Sequence, residues 1–444
     1  VAVITAQGSL GDVPLPAVAQ GFLGSPAGSG VTVSYYANAN HAGEPLLTRV
    51  EPTIELADPP ADLGHAWSAR WTGQITPPAT GLYRLSLLVA GGAALYLDGE
   101  LVLAGEREAA RFIDGPLLPL QAECELRAER PVRLRLDYTT APAVFAPQLV
   151  LGWQTPGSSL IAAAADAAGA ADVAIVFVNT AEGEGMDRSS LALPGDQDRL
   201  VRAVANRNPK TVVVVNSSGP VLMPWLDEVA AVLQVWYPGE QYGSALAAVL
   251  FGDADPGGRL PLTFPAGDDQ GPAAQANPRR YPGVARTVAY EEETLVGHRW
   301  FEVTAQEPLF PFGHGLSYGA VELVDPRFEI DPAGSIVVSV ELVNAAKRGA
   351  VEVVQVYRQL APQAGGRAAR ELRAFSKVEL PAASRRRVSL ALARSALAVY
   401  RSAVGWEIPA GAHTIWLGRS SAQLELVGTV ALARPEKLDG APVH

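Results

Sequence analysis

A single cysteine, Cys124, among 444 residues cannot close an internal disulfide. With no metal-type spacing around it, it reads as a small core residue and leaves the compartment open. The six histidines are scattered, with none paired at ligand spacing. No apolar run approaches about 20 residues, so no segment reads as a membrane-spanning helix. An excess of positive charge is also missing. Lys+Arg number 35 against 46 Asp+Glu, a formal net charge of −11. Nucleic acid and anionic membrane surfaces both need concentrated positive charge, so neither is expected as a partner. Glycine-rich stretches such as GGRLP lack a GxGxxG strand-to-helix context, which excludes a dinucleotide site. Neither an initiator Met nor a signal peptide precedes the opening VAVI. A chain that opens on what reads as a core strand is expected to be a processed product or an excised piece.

What is present describes an ordinary globular chain of two to four domains, 48% hydrophobic and 18% charged. From 31 to 153 the pattern is all-β: VTVSYYAN, AWSARWTGQI, GLYRLSLLVA, AALYLDGELVLAG, VRLRLDYTT and PQLVLGW are short runs broken by turn residues. Alternation is clean over Tyr83-Arg84-Leu85-Ser86-Leu87, and Asp98-Gly99 marks a hairpin. A β-sandwich follows, with Trp67, Trp71, Tyr83, Tyr96 and Trp153 as core fillers.

From 157 to 317 the pattern becomes α/β. DVAIVFV, KTVVVVN and AAVLQVWYP read as strands buried on both faces. Between and after them lie the helical segments DQDRLVRAVANRN and QYGSALAAVLFG, the first capped by Asp196 and stopped at Asn208-Pro209. Such alternation predicts a parallel sheet with helices on both sides. The opening VAVI fits as a further strand of this sheet, which makes the domain 1–30 plus 157–317 with the β module inserted. From 318 to 431 a second sandwich of seven strands is expected from SIVVSVELVN, VEVVQVYRQ, RRVSLALA and HTIWLG, and 432–444 is a tail.

The stretch AEGEGMDRSS, 181–190, leaves the end of a strand on this α/β scaffold, where loops carry sites. Glu182 and Glu184 sit there among glycines. Gly183 and Gly185 give the backbone freedom and leave space beside a side chain. Taken alone, these ten residues read first as an ordinary solvated acidic loop. Asp187 and Arg188 are adjacent opposite charges, suited to orienting the loop, to touching a ligand's hydroxyls, or to a structural ion pair.

Longer motifs carry a resemblance. VWYPGEQYGSALAAVLFGDADPGGRLPLTFP, AYEEETLVGHRWFE and PLFPFGHGLSYG resemble the C-terminal half of family-3 glycoside hydrolases. VEVVQVYRQ, ELRAFSKVELP and IPAGAHTIWLGRSS resemble the fibronectin type III-like domain that ends many of them. GLYRLSLLVAGGAALYLDGELV resembles the protective-antigen-type (PA14-like) sandwich inserted in a subset. The resemblance implies a retaining β-glycosidase, most simply a β-glucosidase, in which a (β/α)8 barrel supplies an aspartate nucleophile and the α/β domain a glutamic acid/base. The family's acid/base lies in a Glu-Gly segment shortly before Asp-Arg, which matches Glu184, with Glu182 the second choice. Asp187 and Arg188 become substrate-contact candidates. Retaining chemistry needs two carboxyls about 5–5.5 Å apart, with the donor held protonated by burial or by its partner.

Departures from the family pattern matter as much. The three modules consume all the residues, leaving no room for a barrel of roughly 250. No Asp-Trp pair occurs, although the family nucleophile commonly precedes Trp. The expected partner is therefore a barrel domain or chain, alongside a β-glycoside substrate. The expected aglycone is small or a natural product, because the inserted sandwich of relatives overhangs the pocket; the loop around Arg111 to Gly115 is the candidate contact. No cofactor is implied, and no metal, since the insert has one Asp-Gly where calcium-binding relatives use adjacent aspartates. Export from the cell is expected, with the cytoplasm the alternative. The rival reading is a non-catalytic carbohydrate-binding or scaffold protein. WYPGE at 236–240 is expected to shape the domain edge, and His314 to be a turn histidine.

Overall fold

The computed structural model describes residues 2–8, 15–26, 28–56, 59–107, 119–140, 148–156, 160–180, 182, 188, 190–274, 277–281, 283–332, 334–361 and 369–438. It divides into two compact units, Val1–Ser218 with Met223–Tyr237, and Gly219–Leu222 with Pro238–His444.

In the first unit ten antiparallel strands form the inserted β-sandwich: β1 (Leu23–Ser25), β2 (Gly28–Ser29), β3 (Val31–Tyr36), β4 (Leu47–Glu51), β5 (Ser68–Ile75), β6 (Gly81–Leu97), β7 (Glu100–Arg107), β8 (Leu120–Leu126), β9 (Val132–Thr139) and β10 (Gln148–Gln154). The long β6 serves two sheets. Gly81–Ala90 pairs with β8 and β10, whereas Gly91–Leu97 pairs with β7 and β9. The handover falls at Gly91, with φ +125°, where a Cβ would stand 2.4 Å from the Thr139 carbonyl oxygen. Only glycine tolerates both. Of the expected core aromatics, Trp67, Trp71, Tyr83 and Trp153 are buried. Tyr96 instead lies at the surface side of the strand under the Arg135 guanidinium, 3.9 Å from the ring centroid. Cys124 is half-buried against the same core, and burial pushes its thiol up.

The α/β layer follows: α1 (Leu160–Gly169), β11 (Ala174–Asn179), α2 (Gln197–Ala205), β12 (Thr211–Asn216) and β13 (Ala231–Gln234), with the strands parallel in the order β11-β12-β13. Leu200, Val201 and Val204 form the buried stripe of α2, which packs on β11 and β12. The other face of β11 is open. Val173, Ile175 and Phe177, all on that side, are 49%, 42% and 51% exposed, so among the described residues burial on both faces holds at β12, where Val213, Val214 and Val215 are buried, and not at β11.

Two boundaries differ from the sequence expectation. Residues 2–8 form no strand, and Val3 and Ile4 are exposed. The segment runs beside α2 instead, where Gly8 sits so close that a Cβ would be 2.5 Å from Leu200 Cδ1. Residues 15–29 belong with the β-sandwich rather than the α/β layer. Ala17 bridges Gly152, the Val18 N–H donates to the Leu151 carbonyl, and β1 pairs with β5. Their apolar residues Leu15, Val18 and Leu23 find burial there.

The second unit holds α3 (Tyr242–Phe251), α4 (His298–Thr304) and a fibronectin type III-like sandwich. One sheet is β14 (Val321–Ile330), β15 (Ile336–Asn344) and β18 (Ser384–Leu392); the other is β17 (Glu371–Leu380), β16 (Ala350–Gln359), β21 (Gly411–Gly418) and β22 (Leu424–Leu432), in that spatial order. Short strands β19 (Val399–Arg401), β20 (Gly405–Ile408) and β23 (Glu436–Lys437) form a third. The alternating residues Ile336, Val338, Val340 and Leu342 face Val354, Val356 and Leu417 in one core. The segment from Pro238 groups with this sandwich, not with the parallel sheet. Asp255 explains why: its carboxylate accepts from Ser317 Oγ, the Tyr318 N–H and the Val351 N–H at 2.6, 2.8 and 2.9 Å. His314 closes a turn through its backbone, and its ring stacks on Phe310 at 5.0 Å. Among the described residues there is no eight-stranded parallel barrel.

Candidate active site at the carboxyl edge of the parallel sheet

Parallel strands that end together leave loops along one edge, and in open α/β sheets that edge carries the ligands. Here the loops after β11 and β12 leave it side by side. The end of β11 is fixed by Gln197, a buried side chain in the first turn of α2. Its Oε1 accepts from the Asn179 N–H at 2.7 Å, and its Nε2 donates to the Asn179 and Pro194 carbonyls at 2.8 and 3.0 Å. The next residue is held twice. The Thr180 N–H donates to the Asn216 carbonyl at 3.1 Å, and the Tyr237 hydroxyl donates to the Thr180 carbonyl at 3.0 Å. Trp236, just before that tyrosine, has φ +56°, a strained angle for a bulky residue. The WYPGE turn therefore begins by tethering the strand end from which the acidic loop departs.

Glu182 is drawn inward. Its Oε2 accepts from the Ser218 N–H at 3.1 Å, on the loop after β12. Its Oε1 lies 3.0 Å from Arg188 Nε in an ion pair, the two side chains 11% and 22% exposed. Glu184 and Asp187 lie outside the described residues, as does the loop 111–115. Arg188, expected to pair or to touch a ligand's hydroxyls, forms an ion pair with Glu182. Oε2 of Glu182 is thus hydrogen-bonded, whereas Oε1 is buried beside the Arg188 guanidinium without a hydrogen bond among the described residues. Nearby, Asn216 Oδ1 and Gln234 Oε1 are buried without a hydrogen-bond partner among the described residues. Each costs about 1–3 kcal/mol in that condition, so this edge carries unused acceptor capacity. No group of three His, Cys, Asp or Glu placed to hold a metal occurs among the described residues.

Sequence reasoning did not single out Gln197 or Ser218. Gln197 carried a signal: with Leu200, Val201 and Val204 it occupies the i, i+3, i+4, i+7 face of α2, where a polar residue needs a partner. Asp196, expected to cap this helix with its side chain, uses its carboxylate differently. It pairs with Arg84 of β6 and with Arg199 Nη1 at 3.0 Å, while its backbone carbonyl accepts from the Leu200 N–H. Burial alone raises the Asp196 carboxyl, but the Arg84 and Arg199 guanidinium groups outweigh it and hold the group below the usual aspartate range. A depressed carboxyl stabilises the fold above its unfolded value, near 3.9, and loses that contribution as pH falls through the lower folded value. Arg84→Met is accordingly expected to lower the thermal midpoint at pH 7. The gap to the unaltered protein should narrow as pH falls below the unfolded aspartate value near 3.9; a gap independent of pH assigns the effect to packing.

With this geometry in place the comparisons are decisive on family. Residues 37–318 match the glycosyl hydrolase family 3 C-terminal domain and residues 352–421 a fibronectin type III-like domain. The chain belongs to glycosyl hydrolase family 3. It is 36% identical over 371 residues to a β-glucosidase of Rhizobium radiobacter, covering 79% of this chain and 45% of that protein. It is 36% identical over 286 residues to thermostable β-glucosidase B of Acetivibrio thermocellus, covering 63% and 37%. Among solved structures it is similar to DesR, a β-glucosidase from Streptomyces venezuelae in complex with D-glucose, with a TM-score of 0.64, 31% identity, and coverage of 95% of this chain and 50% of that one. The chain thus spans about half the length of these relatives.

Proposed function

We propose that this chain is the acid/base-bearing part of a retaining β-glucosidase, completed by a (β/α)8 barrel that carries an aspartate nucleophile. The observation that carries the reading is the family match across 37–318, which includes the loop holding Glu184 between the paired Glu182 and Arg188. In the first step the aspartate attacks the anomeric carbon while the Glu184 carboxylic acid protonates the departing glycosidic oxygen. In the second, the Glu184 carboxylate takes a proton from water as its oxygen attacks the same carbon, releasing the sugar and regenerating both groups. Asp187 is assigned to the sugar hydroxyls. The inserted sandwich, read as the protective-antigen type, restricts the aglycone side, so small and natural-product glycosides are the substrate class.

A donor without a nucleophile cannot form the covalent intermediate. The purified chain should therefore release no 4-nitrophenol from the aryl β-glucoside, and the same chain joined to its barrel should do so. Hydrolysis by the chain alone contradicts this division of labour. Silence of the completed protein, with sugar binding retained, returns the non-catalytic reading.

A further inference from the structure

The chain enters and leaves the inserted sandwich side by side. Ala17 bridges Gly152, the Val18 N–H donates to the Leu151 carbonyl at 3.1 Å, and the Trp153 N–H donates to the Pro16 carbonyl at 3.0 Å. A module joined to its neighbour at one such root swings about it unless a further contact holds it. Arg84 supplies a contact of that kind. It stands on β6 opposite Gln154, the last residue of β10, and its Nη1 pairs with Asp196 Oδ2 at the start of α2. We propose that Arg84 and Asp196 form a latch that fixes the inserted sandwich on the α/β layer, and that Arg84 is thereby a positioning residue for aglycone selection. The selection role rests on the reading given above, in which the insert restricts the aglycone side; the latch itself does not.

Both halves of the latch stand on ordered backbone. On the sandwich side, Arg84 and Ser86 share one face of β6, because alternate residues of a strand point the same way. Ser86 is fully buried, and its Oγ accepts from the Leu15 N–H at 2.9 Å. Gly152, opposite Ser86, leaves no room for a Cβ beside the Leu15 carbonyl. The guanidinium therefore rises next to the place where the entering and leaving segments are packed most closely. Tyr83, Leu85 and Leu87 point the other way, into the sandwich core.

On the helix side, Asp196 uses both carboxylate oxygens. Oδ2 meets Arg84, and Oδ1 accepts from Arg199 Nη1 at 3.0 Å, while the backbone carbonyl accepts from the Leu200 N–H at 2.9 Å. The Arg84 and Asp196 side chains are 21% and 19% exposed, so water and salt screen them less than a surface pair. The strand end that carries the acidic loop has its own supports, Gln197 on Asn179 and Tyr237 on Thr180. Opening the latch therefore leaves those supports in place and changes the insert's position, which separates selection from chemistry.

Two readouts test this. The chain has one cysteine, so a Cys124→Ala background accepts spin labels at Glu100→Cys on the insert and Ala163→Cys on α1, both exposed positions. In the chain alone, the distance distribution between the labels by double electron–electron resonance should be narrow. It should widen about twofold or more in Arg84→Met and in Asp196→Ala, with Arg84→Lys in between. The Arg84→Met/Asp196→Ala double variant should be no wider than the wider single, because the two act as one unit. A distribution already broad in the unaltered chain, or unchanged in the variants, overturns the latch. In the enzyme completed with its barrel, Arg84→Met should narrow the kcat/KM preference for phenyl β-glucoside over a β-1,4-linked glucose pentamer by about tenfold. Its kcat on phenyl β-glucoside should stay within about threefold of the unaltered enzyme. An unchanged preference, or equal losses on both substrates, overturns the selection role. If the unaltered completed enzyme is inactive, the catalytic reading falls and the selection role with it, while the distance distribution still decides whether the insert is latched.

Discussion

Glu184→Gln in the completed enzyme is expected to lower kcat for phenyl β-glucoside by about 10³-fold, within the 10²–10⁴ range for a positioned general acid. Glutamine keeps the size of the side chain but carries no acidic proton, so the poor phenolate leaving group departs unaided. With 2,4-dinitrophenyl β-glucoside the first step should survive, and the covalent intermediate should accumulate as a burst because no base activates water for the second. Binding of glucose should be unchanged. A uniform loss across leaving groups moves the proton transfer away from Glu184. Glu182, the second choice, is then the residue to substitute next; its Oε2 accepts from the Ser218 amide and its Oε1 is ion-paired with Arg188 without a hydrogen bond.

The largest stability effect is expected in the second unit. Arg259 Nη2 lies 2.8 Å from Glu352 Oε1, with side chains 7% and 6% exposed, and also donates to the Val351 carbonyl at 3.2 Å. Removing one partner of a buried pair leaves an uncompensated charge and costs about 3–5 kcal/mol. Glu352→Ala should lower the urea midpoint of the unit containing the C-terminal sandwich by that order. Arg419, whose Nε is 3.4 Å from Glu352 Oε2, is 36% exposed and can hydrate instead. The Arg259→Met/Glu352→Leu double variant should recover most of the loss, since apolar residues of similar volume often replace such pairs without cost. A single variant within about 0.5 kcal/mol of the parent shows that the pair is solvated in solution.

These two predictions also mark what the sequence revealed and what it hid. The strands of both sandwiches and the parallel sheet were legible because buried faces impose period-2 alternation or continuous apolar runs, as in β15 and β12. The opening VAVI misled for the same reason: four apolar residues satisfy a strand pattern, yet pairing depends on an edge that other segments must offer. The site was legible only as a motif. Nothing in AEGEGMDRSS says that Glu182 turns inward to a backbone amide 36 positions away, because that contact depends on how β11 and β12 align. Arg259 and Glu352 are likewise 93 positions apart and meet only once Asp255 docks its loop on β16. Long-range polar contacts leave no local periodicity, so they wait for the fold. The open side of β11 escaped notice because a continuous apolar run implies burial without saying which chain segment supplies the cover.

The proton-transfer assignment itself meets its most direct test in azide rescue of Glu184→Ala in the completed enzyme, with 2,4-dinitrophenyl β-glucoside as substrate. Azide needs no base to attack the covalent glycosyl intermediate, so it should accelerate turnover and yield the β-configured glucosyl azide, while the unaltered enzyme yields glucose. Turnover of the Glu184→Ala enzyme that is indifferent to azide, with glucose as the only product, contradicts the assignment of Glu184 as acid/base.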